Sequence, residues 1–122
     1  MLEAQSEVGV VGAGAMGTEI AFVFARAGFR VGVYDTDADK LQSLIPRLTT
    51  IYEKGVTRGF YQKAEMGKTI GAVRTVEEMD ELRSCGIVTE AVFERQDVKA
   101  DVLRTLDRVC GAECIIATNA ST

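Results

Sequence analysis

The residue types with the clearest chemical use lie near the amino terminus, in a glycine-rich segment that reads G-A-G-A-M-G. In this G-x-G-x-x-G pattern, Gly12 permits a tight turn, Gly14 lets the backbone approach a diphosphate, and Gly17 lets a helix sit close to the preceding strand. The backbone around Ala15 and Met16, at the positive end of the helix dipole, then faces the anion. The segment therefore predicts a turn that binds a dinucleotide.

Asp35 lies eighteen residues after Gly17, where a second strand is predicted to end. A carboxylate at this place can accept hydrogen bonds from the hydroxyls of an adenosine ribose. Its charge would repel a 2′-phosphate, and no arginine follows within the next few residues, so the pattern favours NAD over NADP. The structural alternative is a helix cap or a solvated strand end, although Asp37 or Asp39 is better placed as a cap.

The residues around the glycine segment must place it between a strand and a helix. The run EVGVVG (7–12) is short, β-branched and apolar, which is typical of a strand buried on both faces. Residues 15–27 have helical spacing, with Gly28 suited to end the helix, and RVGVY (30–34) predicts a second, parallel strand. The predicted buried stripe of the helix consists of Met16, Ile20, Val23, Phe24 and Ala27.

Beyond Asp35, predicted helices and strands alternate to the end of the chain. Helical spacing runs through residues 41–51, where Pro46 is predicted to kink the helix or begin a new first turn. The alternation predicts an α/β fold, a Rossmann-type doubly wound and mainly parallel sheet, as one domain over residues 1–122. The further predicted elements are short helices at 60–66 and 76–82, strands at 70–73, 86–90 and 114–118, and a helix at 97–110.

Composition excludes several classes of protein. The 122 residues are 47% apolar with a net charge of -4, which suits one packed domain and argues against binding to nucleic acid or anionic lipid. Cys85, Cys110 and Cys114 lack C-x-x-C spacing and no histidine is present, which argues against a disulfide framework or a metal site. No leader or membrane segment is evident, so we expect a soluble, cytoplasmic protein.

The second half of the chain contains more specific strings: TEAVFE (89–94), VK (98–99), LD (106–107), VC (109–110) and IIATNAS (115–121). Together with VGAGAMG (11–17), they closely resemble the NAD-binding domain of the 3-hydroxyacyl-CoA dehydrogenase family. The resemblance runs from about Glu7 to the last residue. Three positions depart from the family pattern: Cys85 stands where a small or acidic residue is usual, Thr118 replaces a serine, and Ala120 replaces a threonine.

The resemblance implies roles for individual residues. Asp35 matches the aspartate that binds the adenosine ribose, and Ser121 matches a serine that touches the nicotinamide region and the 3-oxygen of the substrate, which makes it the implied catalytic residue. The implied cofactor-binding set is Gly12, Gly14, Ala15, Met16, Gly17, Asp35, Ala91, Val92, Phe93, Glu94, Lys99, Asn119 and Ser121. Structural alternatives are a helix-dipole partner for Glu94, a solvated charge for Lys99 and a helix N-cap for Ser121.

The activity implied by the resemblance is hydride transfer between NAD and the C3 hydroxyl of a 3-hydroxyacyl thioester in fatty-acid metabolism. The family's catalytic His–Glu pair, a later Asn and its C-terminal helical domain are missing from these 122 residues. We therefore expect a truncated domain, inactive by itself and ending after the strand near Asn119, of a protein that is a homodimer when intact.

Three other functions remain open at this point. The protein could act on a hydroxyacyl group held by a carrier protein, on a sugar acid, or as a non-catalytic module that binds NAD. Lys54 and Arg58 either contact the phosphates of CoA, as the family's helical hairpin does, or are solvated surface charges.

Overall fold

Five short parallel strands form one sheet at the centre of the fold. The computed structural model of the chain describes residues 7–91, 96–109 and 115–118. The strands are β1 (Glu7–Val11), β2 (Arg30–Tyr34), β3 (Val73–Val76), β4 (Ile87–Glu90) and β5 (Ile115–Thr118). The helices are α1 (Ala15–Arg26), α2 (Ala38–Thr57), α3 (Met66–Gly71) and α4 (Gln96–Val109), with short 3-10 helices at Lys63–Glu65 and Met79–Leu82.

The strand order is β3-β2-β1-β4-β5, and each neighbouring pair is parallel. The chain therefore builds the sheet outward from β1 to one side, then returns to build the other side. The strand order reverses between β1 and β4, and open α/β sheets bind ligands at the carboxyl ends of the strands at such a point. The predicted Rossmann-type, doubly wound sheet is confirmed.

Both faces of the sheet are covered. Val10 and Val11 are adjacent on β1 and must point to opposite faces, and both are buried. Val10 belongs to a cluster with residues of α1 and α2, whereas Val11 belongs to a cluster with Leu82 and with Val102 of α4. This two-sided burial explains why the strands are rich in valine rather than alternating apolar and polar residues.

The buried face of α1 differs from the predicted stripe. Val23 is 64% exposed and Met16 is 43% exposed. Ala27 is also exposed and lies just past the end of α1, so the predicted stripe was wrong at these three positions. Ile20 and Phe24 are only partly buried. The buried residues of α1 are Gly17, Thr18, Ala21, Phe22 and Ala25. All but Phe22 have small side chains, because α1 lies close to β1, and Phe22 packs in a core cluster that includes residues of α2.

The segment after Asp35 folds as a single long helix followed by a shifted set of short elements. Pro46 does not begin a new helix, because α2 continues through it to Thr57. The helix predicted at 60–66 lies later, as α3 at Met66–Gly71, and the strand predicted at 70–73 is β3 at Val73–Val76. Short helices and strands lack the repeated spacing that locates longer elements, so their bounds were misplaced.

Two features fix the position of α2. The Asp37 carboxylate caps its first turn by accepting the N–H of Asp39 at 2.9 Å. Leu44, Leu48 and Tyr52 lie on one face at helical spacing and are fully or almost fully buried. The helix is thus docked against α1 and the sheet along most of its length.

An ion pair joins the amino end of β1 to β3. Arg74 donates from Nε and Nη2 to the two carboxylate oxygens of Glu7, each at 2.7 Å. The Arg74 hydrogen bond lowers the pKa of Glu7 below its usual 4.5, although partial burial opposes the shift. The buried Cys85 Sγ lies 3.8 Å from Oε1 of the same carboxylate.

The lowered pKa of Glu7 predicts a pH-dependent contribution to stability. The Glu7 carboxylate adds its full share to the free energy of unfolding above the pKa that Glu7 has in the unfolded chain. This share is lost as the pH falls through the lower pKa that Glu7 has in the folded protein. We expect Glu7→Gln to reduce the free energy of unfolding by about 1 kcal/mol at pH 7, because the pair is partly solvated. Urea denaturation at pH 7 and pH 3 checks this, and a difference between the two proteins that persists unchanged at pH 3 would contradict it.

Candidate functional site: the turn between β1 and α1

The glycine turn lies at the carboxyl edge of the sheet, next to the point where strand order reverses. Gly12 has a φ of 116°, a left-handed conformation that favours glycine, and its N–H donates to the Tyr34 carbonyl at 2.7 Å. On the other side, the Ala91 N–H donates to the Val11 carbonyl at 2.8 Å. The ends of β1, β2 and β4 are thereby held together around the turn.

Gly17 provides the close contact between α1 and the turn. A Cβ atom at this position would lie 1.8 Å from the Gly12 carbonyl oxygen, a distance that no side chain tolerates. The helix therefore begins directly over the end of β1. This confirms the packing function that the sequence pattern predicts for Gly17.

Gly14 faces open space. Its φ of -75° and ψ of -166° are available to other residues, and a Cβ placed there would meet nothing within 4 Å. No acidic residue lies in the first turn of α1 to compete for its N–H groups. The turn is thus an open cradle at a positive helix terminus, and its residues fit the diphosphate of a dinucleotide.

Asp35 closes one side of this cradle. Its Oδ2 accepts the N–H of Ala13 at 2.7 Å, and its Oδ1 accepts the N–H of Asp37 at 2.8 Å. Because Asp37 caps α2, the alternative interpretation of Asp35 as that cap is wrong. Each carboxylate oxygen can accept more than one hydrogen bond, so the group retains capacity for the hydroxyls of a ribose.

Arg47 of α2 closes the other side of the cradle formed by the glycine turn. The sequence analysis did not predict this residue. Its Nη2 donates to the carbonyl oxygens of Ala13 at 2.7 Å and Lys40 at 2.9 Å, and its Nε donates to Ser43 Oγ at 3.0 Å. Its Nη1 also donates to Thr18 Oγ1. Arg47 lies twelve residues after Asp35 in the sequence, and α2 places its side chain next to the glycine turn.

Some of the other predicted site residues lie within the part of the chain that the structure describes, and others do not. Ala91 directly follows β4 beside Val11, and Lys99 belongs to α4. Glu90, which the sequence analysis did not single out, is fully buried at the end of β4, in register with Val11. The predicted residues Val92, Phe93, Glu94, Asn119 and Ser121 lie outside the described residues.

Lys54 and Arg58 are exposed and lie at the carboxyl end of α2. With Thr50, Thr57 and Glu53 they line a surface cavity of about 360 Å³. The two cations therefore share their surroundings with a carboxylate. Among the described residues, no helix combines the length and apolar character needed to cross a membrane.

The five-stranded parallel sheet and the open glycine turn beside Asp35 define a dinucleotide-binding Rossmann domain. Residues 7–122 match the family described as "3-hydroxyacyl-CoA dehydrogenase, NAD binding domain", and the chain belongs to this family. NAD is thus the cofactor of the domain family to which the chain belongs. The resemblance of the sequence to this family is confirmed.

Individual relatives agree with this assignment. A 3-hydroxybutyryl-CoA dehydrogenase of Bradyrhizobium diazoefficiens is 33% identical over 115 residues, which are 94% of this chain and 39% of that protein. The fatty acid oxidation complex subunit alpha of Psychrobacter cryohalolentis is 32% identical over 96% of this chain and 16% of its own length. The crystal structure of (S)-3-hydroxybutyryl-CoA dehydrogenase from Ralstonia eutropha superposes with a TM-score of 0.91 at 28% identity, over 97% of this chain and 42% of that one.

The chain spans about two fifths of the length of the Bradyrhizobium diazoefficiens and Ralstonia eutropha enzymes. What it shares with them is therefore the dinucleotide-binding domain.

The open space at Gly14 predicts a variant that separates binding from folding. In Gly14→Val the side chain would enter the space that a diphosphate needs, and its Cβ would meet no protein atom within 4 Å. We expect this variant to unfold at the same urea concentration as the wild type but to lose NADH binding in a fluorescence titration. The matched control is Gly17→Ala, whose added methyl group would strike the Gly12 carbonyl and lower the stability itself. Undiminished NADH binding by a folded Gly14→Val variant would contradict the site.

Proposed function

We propose that this chain is the NAD-binding portion of a 3-hydroxyacyl-CoA dehydrogenase. The observation that carries the proposal is the pairing of an open glycine turn with Asp35 at the switch point of the sheet. The family membership of residues 7–122 supports the acyl-CoA assignment. The names of the bacterial relatives support a role in fatty-acid oxidation.

The chain's own residues supply binding and orientation. NAD, when bound, supplies the hydride chemistry through its nicotinamide ring. The turn at Gly14 receives the diphosphate, and Asp35 receives the adenosine ribose through the unused lone pairs of its carboxylate. With these two groups fixed, the nicotinamide half is directed toward the ends of β4 and β5.

The remaining proposed residues follow β4 or β5 in the sequence, except Lys99, which belongs to α4. Ser121 would hold the 3-oxygen of a 3-hydroxyacyl thioester, while Glu94, Lys99 and Asn119 contact the cofactor, together with Ala91, Val92 and Phe93. Proton transfer requires a base that these 122 residues do not provide as histidine. In the intact protein, which we propose to be a cytoplasmic homodimer, a His–Glu pair from another part of the polypeptide would accept the hydroxyl proton.

One sequence departure supports a second candidate substrate. Ala120 removes a hydroxyl next to Ser121, where the family carries a threonine. A sugar acid would place a different group at this position, whereas a hydroxyacyl group on a carrier protein has the same acyl part as an acyl-CoA and differs only beyond the thioester.

The cofactor preference is tested through Asp35. We expect NADH to bind more tightly than NADPH by about 1–3 kcal/mol, because the carboxylate accepts the ribose hydroxyls and repels a 2′-phosphate. Calorimetry with both cofactors measures the difference. Asp35→Ala should weaken NADH binding and reduce the difference in affinity between NADH and NADPH. Asp39→Ala serves as a control from the same acidic segment. Equal affinities in the wild type would overturn the assignment to NAD.

The catalytic part of the proposal predicts that binding and turnover are separable. We expect the 122-residue chain to bind NADH without oxidising it in the presence of acetoacetyl-CoA. In this direction the 3-oxygen must receive a proton as the hydride arrives at C3, and loss of the general acid that donates it costs about 10² to 10⁴ in rate. NADH absorbance measures turnover, with the Ralstonia eutropha dehydrogenase as the positive control. Turnover by the 122-residue chain would show that no histidine is needed.

A further inference from the structure

Three consecutive peptide groups of the glycine turn are each held by a different partner. The N–H of Ala13 is accepted by Asp35 at 2.7 Å. The carbonyl of Ala13 accepts from Arg47 at 2.7 Å. The carbonyl of Gly14 accepts from the Thr18 N–H at 2.9 Å and from Thr18 Oγ1 at 2.7 Å.

Because the peptide bond is planar, a contact that holds a carbonyl group also sets the direction of the next N–H group. In a trans peptide the C=O of one residue and the N–H of the next point in opposite directions. By holding the Ala13 carbonyl, Arg47 directs the Gly14 N–H away from α2. By holding the Gly14 carbonyl along the helix, Thr18 directs the Ala15 N–H out of the first turn of α1.

Arg47 is also linked to Thr18. Its Nη1 donates to Thr18 Oγ1. The Thr18 hydroxyl lies 2.7 Å from the Gly14 carbonyl oxygen and 3.4 Å from the Ala13 carbonyl oxygen, so its single proton goes to the nearer Gly14 carbonyl. One guanidinium therefore controls two successive peptide planes, the first directly and the second through Thr18. The half-buried side chain is itself fixed by the Lys40 carbonyl and Ser43 Oγ, both of which belong to the docked helix α2.

We propose that Arg47 is a positioning residue for NAD, which sets the Ala13–Gly14 peptide so that the Gly14 and Ala15 N–H groups face the diphosphate. This inference rests on the proposed function, because it concerns the same site. The glycine at position 14 makes such a clamp necessary, since glycine adopts many backbone conformations and does not hold its own peptide in place. Without the clamp, binding would have to order the turn as well.

The test compares two arginines that each make several hydrogen bonds but lie at opposite edges of the sheet. Arg47→Met removes the clamp, and Arg74→Met removes the ion pair at the amino ends of the strands, away from the turn. We expect Arg47→Met to raise the NADH dissociation constant about tenfold, the effect of losing a hydrogen bond to a charged group. Arg74→Met should lower the unfolding midpoint in urea while the NADH dissociation constant stays within twofold of the wild type.

Amide NMR of uniformly ¹⁵N-labelled protein gives a readout that a general loss of stability would not produce. In Arg47→Met the amide resonances of Gly14 and Ala15 should shift or broaden, whereas in Arg74→Met they should not. Arg47→Lys keeps the charge but lacks the fork that reaches several acceptors, so its NADH affinity should be intermediate. Thr18→Val should weaken binding through the same peptide planes, and its effect should be less than additive with that of Arg47→Met.

The outcomes separate this inference from the proposed function. If the wild type binds no NADH, the proposed function fails and the positioning of a cofactor by Arg47 fails with it. If the wild type binds NADH and a folded Arg47→Met variant binds within twofold of it, only the inference is overturned. If Arg47→Met does not fold, the Arg47→Lys and Thr18→Val variants decide, and wild-type affinity in both would overturn the inference.

Discussion

The close contact between Gly17 and the Gly12 carbonyl is the constraint on which the rest of the site depends. A single methyl group at residue 17 would lie 1.8 Å from that oxygen, so the first turn of α1 reaches the end of β1 only because no side chain intervenes. The contact places the positive helix terminus beside the turn. It also requires small side chains along the face of α1 that meets the sheet, which are Ala21 and Ala25.

This constraint explains where sequence reasoning succeeded and where it did not. The class of fold and the strand ends around Gly12 and Asp35 followed from β-branched runs interrupted by a glycine pattern of fixed spacing. The buried face of α1 did not follow, because ranking residues by hydrophobicity favours Val23 over Ala21 and Ala25. Close packing of a helix on a strand selects small side chains instead, and hydrophobicity does not report that selection.

The predicted site was likewise incomplete for a physical reason. Asp35 is found from the chain alone because its distance from the glycine turn is set by the length of one helix and one strand. Arg47 contacts the turn only after α2, capped by Asp37 and docked through Leu44 and Leu48, returns along α1. Its contacts depend on tertiary packing, and no spacing rule encodes them. The strand-end residues proposed from the family, Asn119 and Ser121, rest on sequence matching.

The Glu7–Arg74 pair has a consequence for how the sequence of this domain can evolve. It lies at the amino ends of the strands, roughly 16 Å along β1 from the turn, at about 3.3 Å per residue. At that separation, effects on free energy are largely additive and charges are screened. Substitutions at the amino edge can therefore adjust stability without disturbing the opposite edge. Such a sheet can accumulate compensating mutations at its amino edge while the cofactor-binding turn at the opposite edge stays unchanged.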